Sequence, residues 1–225
     1  GWELFRRSPV HLPYIGANYN AVYPFRTSVL FTDSLPLAAL FFKLLGGILP
    51  TRFQYFGWWG LLCYALQGGL AQAVIARIAG VQPTFGRDDK SKAAIAIIMS
   101  PGQTAKLWGS VLGAGVLVLF PALTIRMFAH TALAANWLVL LALYLWLRSD
   151  ELMPTTRRAC LIWGGMGLLC AGIHLYYLPM VGLVLVGYAV RRALQKRGPA
   201  AVLAPIAAFC AAALAELVLL GAFAV

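Results

Sequence analysis

The chain has 225 residues, of which 61% are hydrophobic and 11% charged, with a mean hydropathy of +0.80. These values exclude an ordinary soluble domain, because too few polar residues are present to cover an apolar core, and they predict an all-α, polytopic transmembrane helical bundle. The net charge of +11 comes from short basic clusters between apolar runs. This pattern is typical of membrane topology rather than of nucleic-acid binding, so we expect membrane lipid as a partner and no nucleic acid.

Residues 1–28 are predicted to form a non-cytosolic interfacial loop that contains a short amphipathic helix. Trp2 and Phe5 share one face of that helix and Arg6 turns away from them, which suits a membrane interface. Pro9 ends the helix soon afterwards.

Residues 29–225 are predicted to form one transmembrane helical domain. Its first apolar stretch, residues 29–49, is short beside the roughly 20 residues that a span needs, and it either crosses at a tilt or re-enters the membrane. The apolar runs that follow cover residues 53–80, 107–125, 131–147, 160–173, 175–190 and 202–225. We therefore predict about six to seven spans. Because the chain begins with Gly and stops inside an apolar run, we also expect it to be truncated at both ends.

Basic residues collect in three clusters, at residues 77–92, 148–158 and 191–197. Two predicted spans lie between successive clusters, so all three clusters fall on one side of the membrane. The positive-inside rule makes that side the cytosol. The turns at residues 126–130 and at His174 then face the opposite compartment.

Arg126 and His130 stand at the start of an apolar run, one helical turn apart. If one helix continues through both, they share a face at the membrane boundary. The planar guanidinium of Arg can grip a phosphate, and His can donate a hydrogen bond or exchange a proton near neutral pH. The alternative is that Arg126 reaches lipid headgroups and His130 merely starts a helix.

His174 lies between two apolar runs and is followed closely by Tyr176 and Tyr177. An imidazole with two phenols can line a polar cavity or bind a sugar by stacking and hydrogen bonding. The alternative is an aromatic belt at the bilayer surface.

Two acidic residues are candidates for function. Asp33 directly precedes an apolar helix, where it can act as a general base, hold a divalent metal or cap the helix. Glu216 is embedded in the apolar segment ALAELVLLG, where an ionisable side chain is expensive unless it faces a cavity or a partner.

Other residues predict structure rather than chemistry. Gly109, Gly113 and Gly115 form a small-residue face suited to close helix packing. The four cysteines lie in apolar stretches without metal-ligand spacing, so they predict buried thiols. The sequence contains no phosphate-binding loop, zinc-protease motif or serine-hydrolase motif.

Five stretches together resemble a known family. They are GWELFRRSP, FTDSLPLAALFFK, FQYFGWW, PALTIRMFAHTALAANWLVLLALYLWLR and IHLYYL, spread over most of residues 1–180. On these residues the chain resembles bacterial polytopic membrane proteins that are known only as a domain of unknown function and are similar to GT-C glycosyltransferases. The resemblance implies a GT-C-like enzyme of the bacterial inner membrane, which transfers a sugar from a polyprenyl-phosphate-linked sugar donor to a glycan or lipid acceptor on the non-cytosolic face.

The resemblance also suggests roles for residues. GT-C proteins place their main catalytic acid in the first outer loop, which is expected upstream of Gly1, so Asp33 is the candidate catalytic residue within this chain. The expected substrate-binding residues are Arg126, His130, His174 and Tyr176, with Arg126 holding the lipid-linked phosphate. No metal ligands are predicted, and the cofactor stays open with a divalent metal as one candidate. GT-C topology would place the basic clusters outside the cell; we follow the charge rule instead.

Two other functions compete with glycosyl transfer. In a membrane transporter or lipid flippase, Glu216, Arg126 and His174 would line a path through the bilayer. A non-catalytic membrane scaffold is the third possibility.

Overall fold

The computed structural model describes residues 1–18, 21–22, 24–25, 27–81 and 101–223, without the side chain of Ala122. These residues form α-helices joined by turns and by two 3-10 helices, Val29–Phe31 and Thr131–Ala134, and no strand is named among them. The α-helices of the described chain are α1 (Trp2–Arg7), α2 (Pro36–Leu44), α3 (Phe56–Ile78), α4 (Pro101–Val118), α5 (Pro121–Ala129), α6 (Trp137–Leu147), α7 (Ser149–Leu152), α8 (Thr156–Ile173), α9 (Tyr177–Leu194) and α10 (Pro199–Leu219). The predicted all-α class is confirmed for this part of the chain.

Four segments are long and apolar enough to cross a membrane, which is compatible with an integral membrane protein. They are Phe56–Ile78, Pro101–Ala129, Tyr177–Leu194 and Pro199–Leu219. A count of six requires crossings by two of α2, α6 and α8 as well, and a count of seven requires all three. With nine and eleven residues, α2 and α6 extend only about 14 and 17 Å at 1.5 Å per residue, so the higher count stays a prediction.

The stretch from residue 29 to residue 49 is not one tilted helix. A 3-10 helix ends at Phe31, and Leu35 then adopts a left-handed conformation with φ 48° directly before α2 begins at Pro36. Pro fits the first helical position because its missing N–H has no partner there in any case. The result is a nine-residue helix that is too short to cross a bilayer of about 30 Å.

The predicted amphipathic helix forms as α1, but its apolar face contacts protein. Trp2 and Phe5 are 3% and 0% exposed and belong to the same hydrophobic core as α8 and α9. The Lys43 ammonium on α2 donates to the Phe5 carbonyl at 2.8 Å, and the Arg6 guanidinium donates to the Pro50 carbonyl at 2.8 Å. Residues of both predicted parts, 1–28 and 29–225, contribute to this core.

Described residues of the three basic clusters meet at one end of the bundle, as their predicted placement on one side requires; residues 82–92 of the first cluster lie outside the described residues. Arg77 at the end of α3 and Arg148 both pair with Glu151, at 2.7 and 2.6 Å. Asp150 pairs with Arg191 and Arg192 near the end of α9, at 2.5 and 3.1 Å. These ion pairs define the basic end of the bundle.

Close helix packing involves one of the three predicted glycines and a glycine outside that set. A Cβ added at Gly113 would lie 3.0 Å from Ile75 of α3, but Gly109 and Gly115 face open space. In contrast, Gly167 of α8 lies against the backbone of Phe209 in α10. The prediction for Gly109 and Gly115 is wrong because sequence spacing does not say which face of α4 meets a neighbour.

Candidate functional site

The end of the bundle opposite the basic end is organised around the 3-10 helix Thr131–Ala134. The Trp59 indole N–H at the start of α3 donates to the Thr131 carbonyl at 3.0 Å. The Tyr177 hydroxyl at the start of α9 donates to the Leu133 carbonyl at 2.7 Å. These bonds hold the turn between α3 and α9, two of the candidate spans. The side chains around the turn are therefore positioned by helices rather than by a loose loop.

An open cavity of about 500 Å³ lies beside this turn. Its lining residues are Leu30, Phe31, Thr32, Asp33, His130, Leu133, His174, Leu175 and Tyr176. Four residues that sequence analysis selected therefore face one cavity: Asp33, His130, His174 and Tyr176.

Asp33 is tied to this turn rather than to the helix that follows it in sequence. The first position before α2 is Leu35, and no side chain caps that helix. The Asp33 carboxylate instead accepts hydrogen bonds from the Ala132 N–H at 3.1 Å and from the Thr131 hydroxyl at 3.4 Å. Capping of α2 by Asp33 is therefore wrong. Each carboxylate oxygen has spare acceptor capacity beyond these bonds.

His174 follows the last residue of α8 and presents its ring to the cavity. Its Nδ1 accepts the backbone N–H of Tyr176 at 3.3 Å, and the two rings meet edge to face with centroids 4.7 Å apart. A neutral imidazole whose Nδ1 accepts must carry its proton on Nε2. Burial lowers the pKa of His174, and nearby His130 lowers it further while Asp33 opposes the shift. His174 is thus favoured as a neutral donor.

Arg126 is not part of the cavity lining. Helix α5 ends at Ala129, so the helix does not continue through His130, although the His130 N–H still bonds to the Arg126 carbonyl at 2.8 Å. The Arg126 guanidinium donates to the Asn136 side-chain oxygen at 3.0 Å. Pro121 begins this short helix, and the predicted span from residue 131 starts instead as a 3-10 turn. A phosphate-binding role for Arg126 stays a prediction.

Some supporting residues were missed by sequence analysis. Trp59 looks like an ordinary membrane-belt aromatic in the sequence, yet it donates to a backbone carbonyl of the central turn. Tyr177, which the sequence places beside His174 as a cavity or belt phenol, donates to a carbonyl of that turn as well. Thr131 donates its hydroxyl to Asp33. In the sequence, the only local sign of this contact is that a hydroxyl residue directly follows His130.

The described residues supply no ligand set for a divalent metal. Within them, no group of three or more His, Cys, Asp or Glu side chains is arranged to hold a metal ion. The four cysteines are free, and Cys63 and Cys170 are buried as predicted, whereas Cys210 is exposed. The chemistry available at the cavity is therefore that of one carboxylate, two imidazoles and a phenol.

Comparison with known proteins gives a family without an assigned function. No curated protein and no solved structure matches the chain. One family model, described as "Domain of unknown function (DUF6311)", matches residues 1–225. Since this match covers the whole sequence, the chain belongs to the DUF6311 family.

Proposed function

We propose that the chain is part of a GT-C-like integral membrane glycosyltransferase, with about six to seven spans, in a bacterial inner membrane. It transfers a sugar from a polyprenyl-phosphate donor to a glycan or lipid acceptor on the non-cytosolic face. One observation carries the proposal: Asp33, His130, His174 and Tyr176 face a single cavity at the end of the bundle opposite the basic end. The positive-inside rule assigns the basic end to the cytosol and the cavity to the other side.

The cavity residues suit an inverting displacement. The acceptor hydroxyl attacks the anomeric carbon while the bond from that carbon to the phosphate oxygen breaks. Asp33 takes the hydroxyl proton as general base, and polyprenyl phosphate leaves with the bonding electrons. The Nε2–H of His174 and the imidazole of His130 can donate hydrogen bonds to the departing phosphate, and Tyr176 can stack on the sugar.

Asp33→Asn in the full-length protein tests this role. The Asn side-chain oxygen can still accept the Ala132 N–H, so the variant removes the base while it keeps the bond to the turn. We expect turnover to fall by about 10²–10⁴, the usual contribution of a general base. The assay measures release of polyprenyl phosphate from radiolabelled polyprenyl-phosphate sugars by protein in lipid.

Glu3→Gln is the matched control, because Glu3 bonds to Gln54 outside the cavity, and it should leave turnover unchanged. Wild-type turnover by Asp33→Asn would contradict the assignment of the base. Absence of turnover with every donor, from folded wild-type protein, would contradict glycosyl transfer itself. In the same assay, Arg126→Ala tests the predicted phosphate contact.

Transport is the second candidate, and one observation favours it. Glu216 is a buried acid in a candidate span, as expected along an ion or proton path. Glu216 does not line the cavity, however, and neither does Arg126. Of the three residues that a transport path would share, His174 alone lines this cavity, and glycosyl transfer is the better supported function.

A further inference from the structure

Glu216 lies at a three-way contact inside the bundle. The residue is 7% exposed and sits on α10, where it faces Gly172 of α8. A Cβ added at Gly172 would overlap both the Glu216 Oε1 and the side chain of Leu37 on α2. The carboxyl group therefore lies against the α8 backbone at Gly172, beside the apolar side chain of Leu37.

The described residues provide this carboxyl group with no counter-charge. Its Oε2 is buried without a hydrogen-bond partner, and Glu216 takes part in none of the ion pairs of the described chain. On α8 the titratable group within electrostatic range is the Cys170 thiol. The cation of α2, Lys43, is engaged with Phe5 and Ser8. His174, two residues after Gly172, faces the cavity instead.

If Glu216 were ionised here, its carboxylate would have neither hydrating water nor a counter-charge. Burial of an unpaired charge in a low-dielectric interior costs far more free energy than burial of a neutral carboxylic acid does. Membrane-embedded acids of this kind are commonly functional.

We propose that Glu216 is a proton-binding site inside the bundle, separate from the cavity used for sugar transfer. The ligand is a proton, held on the carboxyl group while α8, α10 and the first turn of α2 are packed together. Release of that proton requires water or a cation to reach the carboxylate, whose Oε2 is buried while these helices are packed together. Proton release is therefore coupled to separation of α8 from α10.

Infrared spectroscopy of the purified protein in lipid tests the site directly. A protonated carboxyl group has a C=O stretch distinct from the carboxylate bands and sensitive to exchange into D₂O. We expect this band at neutral pH in the wild type and in the control Glu3→Gln, and its loss in Glu216→Gln. An unchanged band in Glu216→Gln would overturn the proposal.

A chemical probe covers the case in which Glu216→Gln does not fold. Dicyclohexylcarbodiimide adds the O–H of a protonated carboxyl group in apolar surroundings across its C=N bond, with no leaving group. Peptide mapping of wild-type protein should locate the adduct on Glu216 and not on exposed Glu151. The reagent reaches Glu216 from the lipid during the same separation of α8 from α10 that proton release requires, so an unmodified Glu216 after prolonged incubation would overturn the proposal. Neither readout depends on sugar transfer, so the two proposals fail independently.

Discussion

Gly167→Ala tests whether contact between α8 and α10 is as close as the backbone positions indicate. The added methyl group would overlap the Phe209 carbonyl oxygen and lie 3.2 Å from its carbonyl carbon. Because the obstacle is backbone, no side-chain rotation relieves it, and one helix must move away from the other. Overpacking of this kind costs about 1–3 kcal/mol. Removal of a helical glycine returns about 0.5–1 kcal/mol, so we expect a net loss of up to about 2.5 kcal/mol relative to wild type.

Gly165→Ala is the matched control, on the same helix and two residues away. A Cβ at Gly165 meets nothing within 4 Å, so this variant should be as stable as wild type or gain up to about 1 kcal/mol. Thermal unfolding of both variants in one detergent, followed by circular dichroism, gives the comparison. At about 2–4 °C per kcal/mol for a chain of this size, Gly167→Ala should melt several degrees below Gly165→Ala. Equal melting temperatures would refute the close approach of α8 and α10.

Two further changes test the ends of the bundle. Arg192 is 6% exposed and donates five hydrogen bonds. Arg192→Ala removes the donor of the buried Met153 carbonyl, whereas the Ser149 carbonyl still accepts the Met153 N–H, and the change should cost about 1–3 kcal/mol. Arg158→Ala, at an exposed residue, should melt like wild type. At the other end, burial lowers the pKa of His174 below 6.5, so the unfolded state binds its proton more tightly than the folded state does. Stability should therefore fall as pH drops below 6.5, and His174→Gln should weaken this pH dependence. Melting temperature measured against pH gives the comparison, and an equal slope in both proteins would contradict the role of His174.

The gathering of the cavity residues could be predicted from charge and hydrophobicity. Basic clusters separated by pairs of apolar runs place the intervening turns at the other end of the bundle. His130 and His174 belong to two such turns, and both line the cavity. The position of Asp33 at the same end does not follow from the charge rule, because α2 is too short to cross the membrane and so does not define a turn between two spans.

Helix boundaries could not be predicted in the same way. Hydropathy reports how apolar a run is, but not whether one helix continues through it. The run from Arg126 to Leu147 contains the end of α5, a 3-10 turn and α6. The turn is stable because Trp59, Tyr177 and Asp33 supply partners for its backbone and hydroxyl groups. Those partners are far away in sequence, so no local sequence pattern predicts the interruption between α5 and α6.

Asp33 shows how a local rule and a tertiary contact compete for one side chain. An acid directly before a predicted helix is a common cap, because the first helical N–H groups lack partners. At α2, however, Pro36 removes one of those N–H groups, and Leu35 takes a left-handed conformation that carries the chain away from the Asp33 carboxylate. The same kind of unsatisfied N–H exists at the start of the 3-10 helix, 99 residues later, at Ala132. The carboxylate binds there, and since that helix borders the cavity, a capping bond places an acid beside two histidines where it can also act as a base.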